Sequence, residues 1–388
     1  MKICILAPRF PFPENGGDVL RINNICRYLK NKGHTLVLVT FLDKTNEEKN
    51  KILAEKFYDK VYYVKRYNFF SFVSSFLALI FNKPIQIGYY FSLSFLSVFK
   101  KVINLENPDL FISHLLRMVP YLNICNLQNK TIVEMTDALS KTYKLADKSS
   151  RKSFKKWIYV IEKKRISRYE MRTINEYKKC VLVSEADKKY LGNYKSLYVY
   201  PMGVNCLEKI ASEYNKNKIV FVGNMRTLQN QDAVKYFVYD IFPIIKKIIP
   251  QVMLYIIGGE PPVDIRMISD GKNIVVSGFV HSIEDEIKDV AVAVAPVRIA
   301  AGIQCKVFSY MACGIPVVLT SLISEGISEL VPNENCIIAD EKSDFANAVV
   351  SILKNKDMRN RIGRAGYDMV KNYYSWNKVL NGYEEGLL

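Results

Sequence analysis

Twelve short runs of apolar, β-rich residues recur along this chain, separated by stretches with helical spacing. That alternation, with strands apolar along nearly their whole length, specifies parallel sheets covered on both faces by helices. The first series is KICILAP (Lys2–Pro8), TLVLVTF (Thr35–Phe41), VYYV (Val61–Val64), DLFISH (Asp109–His114), TIVEMT (Thr131–Thr136) and CVLVS (Cys180–Ser184). Between the first two runs, Leu20, Ile25 and Leu29 give Asp18–Lys32 a helical period, and Gly33 ends it. A break follows SLYVYPMGVN (Ser196–Asn205), and the hydrophilic ASEYNKNK leads into a second series. That series is KIVFVGN, VMLYIIGG, NIVVSGFV, VAVAVAPV, PVVLT and CIIA. At 388 residues the chain exceeds one typical core. The pattern therefore predicts two Rossmann-like domains, 1–205 and 206–373. A last helix beginning near Tyr374, with Trp376 and Leu380, is a candidate to cross back onto the first domain.

Composition narrows the function. The eight cysteines are scattered, without C-x-x-C or Cys/His spacing, and three histidines are too few for a multi-histidine metal site. With no signal peptide in view, the expectation is a cytoplasmic protein with reduced cysteines and no metal. The net charge of +17 is concentrated: between Lys141 and Lys195 stand 17 Lys/Arg and 6 Asp/Glu. Anionic lipid, polyphosphate substrates and nucleic acid are the partners such a charge admits, beside a merely solvated helix face. No recognised nucleic-acid module is visible, so nucleic acid is set aside. Phe69–Phe81 (FFSFVSSFLALIF) is 13 residues long, flanked by Lys65, Arg66 and Lys83. A span needs about 20 residues, so this segment reads as a buried helix or an interfacial one on an anionic membrane.

Ligands of open α/β sheets bind beyond the carboxyl ends of the strands, and the residues there are the site candidates. The densest is Val294–Val318, a strand, a glycine turn, a helix opening near Gln304 and another strand. Its unpaired helix N–H groups, with Arg298 and Lys306, make an anion site. After the first strand stand Gly16 and Gly17, a glycine loop facing a donor phosphate or a mere loop with a helix start. Then come Asp18 as a possible cap and Arg21 one turn on as a further donor-binding candidate; no G-x-G-x-x-G occurs, which disfavours a dinucleotide oxidoreductase. His114 and Arg117 follow the fourth strand, where the histidine would polarise or deprotonate a hydroxyl, or would simply be hydrogen-bonded. Asp137, after the fifth, would orient an acceptor hydroxyl or cap the helix near Ala138. In the second series Gly223, Asn224, Arg226, Gly258, Gly259 and His281 occupy the corresponding places.

These stretches resemble the family-4 (group 1) retaining glycosyltransferases of GT-B fold. The resemblance is nearest the branch of bacterial sugar transferases associated with exopolysaccharide and exosortase systems. It rests on GD-x-x-R (Gly17, Asp18, Arg21), on VEMTDALSKTYK, on GNMRTLQNQDAV, and on PVRIAAGIQCK (Pro296–Lys306) followed by a helix and G-x-P-V-V. It implies an α/β GT-B fold, two Rossmann-like domains facing a central cleft. A nucleotide diphosphate sugar would bind the C-terminal domain, and a lipid-linked or polysaccharide acceptor the N-terminal one. The activity implied is a hexosyltransferase-type, metal-independent transfer in cell-surface glycan biosynthesis, with no cofactor beyond the co-substrate. The basic Lys141–Lys195 region and Phe69–Phe81 would place such an enzyme peripherally on the inner face of the bacterial plasma membrane. Arg226, Arg298 and Lys306 would neutralise the leaving diphosphate, helped by backbone amides at Gly302, Ile303 and Gly17. The family's pair of glutamates falls on Ala301 and Ser309, and the lysine usual after the first glycine of the domain is missing, with Asn230 nearby. Ser309 would hold the ribose with one short hydroxyl. The competing readings are a non-catalytic GT-B subunit that binds a partner enzyme or glycan, and a sugar-nucleotide epimerase of the same fold.

Overall fold

The computed structural model describes every residue except 15, 43–47, 142, 145–153, 209, 211–213, 281, 300–303 and 388, with backbone alone for 49 and 154–160. The chain divides into two compact units: Met1–Pro201 with Leu380–Leu388, and Met202–Val379. No helix among the described residues is long and apolar enough to cross a membrane.

The first unit is built on seven parallel strands: β1 (Lys2–Ala7), β2 (Thr35–Leu42), β3 (Lys60–Lys65), β4 (Leu110–His114), β5 (Thr131–Thr136), β6 (Lys179–Leu182) and β7 (Leu197–Val199). Their order is β3-β2-β1-β4-β5-β6-β7. β7 lies inside SLYVYPMGVN, the stretch just before the break, which the sequence reading does not count among the strands; three residues are too few to show a period. The helix after β1 spans Gly17–Asn31, entered through Gly16 at φ 112° and followed by Gly33 at φ +82°. Asp18 does not cap it; its carboxylate pairs with Arg9 instead. The end of the last helix (Trp376–Leu387) belongs to this unit, where the Tyr28 hydroxyl donates to Glu384 Oε2 (2.7 Å) and lies 2.6 Å from Asn381 Oδ1.

Glu106 sits beside β1 and β3 of the same sheet. Its carboxylate, almost fully buried, accepts from Tyr62 (2.6 Å), Lys60 (2.8 Å) and Lys2 (3.4 Å). The Lys60 and Tyr62 donors hold its pKa down at about 2. A depressed carboxyl contributes stability that is full above about pH 4.5 and is lost as pH falls toward 2. Glu106→Gln should destabilise the protein by about 1–3 kcal/mol at neutral pH, read by denaturant unfolding, and flatten the acid limb of the stability curve.

Helix Asn68–Ile80 overturns one of its two expectations: it is not a core helix. Of its residues only Ser71 and Ala78 are buried. Ala78 and Ser74 approach so closely that a Cβ on Gly88 would meet them at 2.5 and 2.6 Å. The small residues face inward and the phenylalanines outward.

The second unit holds six parallel strands: β8 (Asn215–Val222), β9 (Met253–Ile257), β10 (Ile274–Gly278), β11 (Val290–Ala295), β12 (Val317–Leu319) and β13 (Ile337–Ile338). Their order is β10-β9-β8-β11-β12-β13. All six residues of β11 are buried, as its run of alternating Val and Ala requires when helices cover both faces. In both sheets chain order reverses between two central strands, β1/β4 in the first and β8/β11 in the second. A crevice for ligands opens at such a point, outside the carboxyl ends.

Candidate functional site

The switch point of the second sheet gathers the cations that the sequence singles out. β8 ends at Val222, and Gly223 donates its N–H to Ile257 (2.9 Å). A Cβ on Gly258 would lie 1.8 Å from the Gly223 carbonyl, so the two strand ends touch backbone to backbone. Asn224 turns its Oδ1 to the Arg226 N–H (3.0 Å), and its carbonyl accepts from Asn230 Nδ2 (2.9 Å). Asn230, buried in helix Leu228–Tyr236, then accepts from Lys306 Nζ at 2.5 Å. Two residues on, Asp232 receives Arg298 through both carboxylate oxygens, at 2.7 and 3.1 Å, while the guanidinium lies 4.2 Å from the Tyr236 ring centroid. The N-x-D of NQDAV is thus the mount for both cations. Sequence reasoning assigns neither partner, although that motif is the available signal.

The two arginines and the lysine differ in kind. Arg298–Asp232 and Arg226–Glu260 are solvent-exposed pairs. Exposed pairs contribute about 0–1 kcal/mol, so either guanidinium can turn to a ligand at small cost. Lys306 is set in from solvent against the Phe221 ring (4.5 Å), and among the described residues no carboxylate pairs with it. Burial alone pushes its pKa down to about 8. Lys306 lies in the first turn of helix Cys305–Ala312, where the backbone N–H groups also favour an anion. An anion here would relieve a cation that the fold leaves uncompensated.

Ser309 is half-buried, one turn beyond Lys306 on the same helix. Gly302, Ile303 and His281, also expected at the site, lie outside the described residues. Among the described residues no three His, Cys, Asp or Glu side chains are placed to hold a metal ion.

In the first unit the strand-end residues separate into two groups. His114 ends β4, buried, with neither ring nitrogen hydrogen-bonded among the described residues. Its Nε2 stands 4.0 Å from Asp18 Oδ2. Burial holds the imidazole down at about 4 against the pull of Asp18, with Arg9, Arg21 and Arg117 adding to the depression. A neutral imidazole with both nitrogens unsatisfied is equipped to exchange hydrogen bonds with a substrate hydroxyl. Gly17 opens onto free space, and a Cβ on Gly16 would come 3.1 Å from Arg9.

Arg21 is a correction. The expectation places it on a donor phosphate, but it is buried, with Nε 2.6 Å from the equally buried Glu134 and Nη1 3.1 Å from the Pro201 carbonyl. A lone glutamate inside the apolar run TIVEMT is the overlooked signal, because a buried carboxylate requires a partner. Asp137 is also not a cap: Asp187 accepts from Ala138 N–H (3.4 Å) and Glu170 from Ser140 N–H (3.2 Å), leaving Asp137 exposed.

Comparison with known proteins agrees with this architecture. The family described as "Glycosyl transferases group 1" matches residues 216–355. That segment is similar to the group 1 glycosyltransferases. An uncharacterized 44.6 kDa protein in the cps region of Klebsiella pneumoniae is 22% identical over 391 aligned positions, 98% of each chain. Sucrose-phosphate synthase from Thermosynechococcus elongatus superposes with a TM-score of 0.69 at 13% identity, over 99% of this chain and 98% of that one. HepE of Anabaena, solved with UDP and glucose, gives 0.66 at 14%, over 100% and 99%. TarM of S. aureus gives 0.68 at 11%, over 99% and 98%. The chain has the two-domain α/β GT-B fold. Arg226, Asn230, Asp232, Arg298, Lys306 and Ser309 all fall inside the matched residues.

Proposed function

We propose that this chain is a glycosyltransferase that moves a sugar from a nucleotide diphosphate sugar to a lipid-linked or polysaccharide acceptor in cell-surface glycan biosynthesis. One observation carries the reading: Lys306, a desolvated cation without a carboxylate partner among the described residues, stands at the strand-order reversal of the second sheet. A diphosphate supplies the missing counter-charge. In the transfer, the bond from the anomeric carbon to the diphosphate breaks as the acceptor oxygen bonds that carbon, and the acceptor's hydroxyl proton leaves with the departing diphosphate. Lys306 stabilises the charge that develops on the leaving diphosphate. Arg298 and Arg226 exchange their exposed carboxylates for it, in place of a metal ion. His114, held neutral, positions or polarises a substrate hydroxyl in the first unit. Retention of anomeric configuration is part of the same proposal, on family resemblance. HepE's complex with UDP and glucose supports trying uridine donors first, and the Klebsiella relative's cps region supports a glycan acceptor.

The test is a thermal-shift screen of uridine, guanosine and cytidine diphosphate sugars, followed by nucleoside diphosphate release with a lipid-linked acceptor. A donor at 100 times its dissociation constant should stabilise the protein by about 2.7 kcal/mol. Absence of binding at millimolar donor rejects the reading. Binding without release in the presence of acceptors favours a non-catalytic subunit, for which the missing carboxylate at Ser309 speaks.

Lys306 also sets a pH dependence. Its folded pKa of about 8 lies below the ordinary 10.5, so the unfolded chain binds more protons between those values. Stability without ligand should therefore rise from about pH 8 to 10.5. Donor affinity should move the other way, weakening by up to about tenfold per pH unit above 8 as the ammonium is lost. Calorimetric titrations between pH 7 and 9.5 check both signs, and Lys306→Met should abolish the dependence.

A further inference from the structure

Helix Asn68–Ile80 carries its hydrophobic surface on the wrong side for a water-facing helix. Phe69, Phe72, Phe76 and Ile80 are 72%, 67%, 64% and 62% exposed. At 100° per residue they fall with Val73, Leu77 and Phe70 on one continuous outward arc, opposite Ser71, Ser75 and Ala78. Phe81, just past the helix, is also exposed. An apolar patch of this breadth on a folded surface marks an interaction site.

We propose that this arc is an interfacial membrane anchor, lying in the headgroup region of an anionic bilayer with the helix parallel to the surface. Charge argues for lipid. From residue 60 to residue 105 the chain has six Lys/Arg and no Asp or Glu, which suits an anionic surface. Lys65 and Lys83 flank the helix and are exposed. Arg165, one of the basic residues of 141–195, donates to the Leu79 carbonyl (3.3 Å) and to Asn82 (3.2 Å), at the helix's carboxyl end. A two-fold contact with a second copy would set these cations against their own duplicates. The phenylalanines offer area without hydrogen-bonding groups, as insertion among acyl chains requires. The helix is also braced from behind. Its small face packs on Ile85–Tyr89 through Gly88, so the aromatic arc cannot turn inward without a clash. The anchor does not rest on the sugar-transfer reading, and either can fail alone.

The test is co-sedimentation of the full chain with vesicles of phosphatidylcholine, alone or with 30 mol% phosphatidylglycerol (about a third anionic, within the range where basic segments respond). The wild type should bind the mixed vesicles and bind phosphatidylcholine at least about tenfold more weakly, as a two-signal attachment requires. A Phe69→Ser/Phe72→Ser/Phe76→Ser variant should lose about tenfold or more in binding, with an unchanged circular dichroism spectrum. Phe72→Trp should show a blue-shifted emission and quenching by brominated lipid on binding. Equal binding by the triple variant, no binding by the wild type, or no blue shift overturns the proposal. So does a wild-type dimer in sedimentation velocity that the triple variant dissolves and that excludes vesicles.

Discussion

Lys306→Met should lower kcat/KM for the nucleotide sugar by about 10²–10³, equivalent to about 3–4 kcal/mol of transition-state stabilisation, and leave the free protein as stable as the wild type or more so. The two effects have one cause. The ammonium is desolvated beside Phe221 and held, among the described residues, only by the neutral Asn230 Oδ1, so the resting fold gains little from its charge. Methionine keeps the apolar stem and removes a cation that burial already disfavours. On the proposed function the charge becomes favourable only when a diphosphate arrives. Steady-state kinetics and thermal unfolding on the same preparation decide it. Activity within tenfold of wild type would remove Lys306 from the machinery, and a large loss of stability would make it a structural residue. Asn230→Ala should follow in milder form, since it frees the ammonium without deleting it.

Breaking the Arg21–Glu134 pair should have the largest effect on stability. Both groups are buried and 2.6 Å apart. Among the described residues, Arg21 Nη2 finds no hydrogen-bond partner, and the Tyr383 hydroxyl lies against the Glu134 carboxylate. Burial and the Glu134 charge push the Tyr383 hydroxyl's pKa well up, so it stays protonated beside the carboxylate. Removing one partner strands the other charge, at a cost of about 3–5 kcal/mol. Arg21→Ala or Glu134→Ala should lower the melting temperature by on the order of 10 °C. The double substitution Arg21→Met/Glu134→Leu should recover most of that loss, because the charge is removed with its counter-ion. A phosphate-binding Arg21 predicts the reverse: Arg21→Ala would keep the melting temperature and raise the donor KM. The double-mutant cycle separates the two.

Strand and helix positions were legible because they depend on local periodicity and on turns such as Gly33, which the chain spells out residue by residue. β7 escaped because three residues carry no period. The strand ends, and hence the places of Lys306, Arg298 and His114, followed from the same reading. Pairings did not follow. Asn230 with Lys306 and Asp232 with Arg298 join residues 76 and 66 positions apart, and nothing local ties one to the other. Arg21 shows the reverse error: a cation just past a glycine loop reads as a phosphate ligand until Glu134, 113 positions away, is seen to claim it.

The sequence by itself determined two α/β units with parallel sheets, the order of their elements and the cationic turn before Lys306, since these follow from hydrophobic period and turn chemistry. Only the tertiary structure decided which side chains serve. It placed two reversals of strand order, gave Arg21 to the interior, left Lys306 without a carboxylate among the described residues, and turned the phenylalanines of helix Asn68–Ile80 outward. Each of those outcomes depends on desolvation and on partners distant in sequence, and both exist only once the chain has packed.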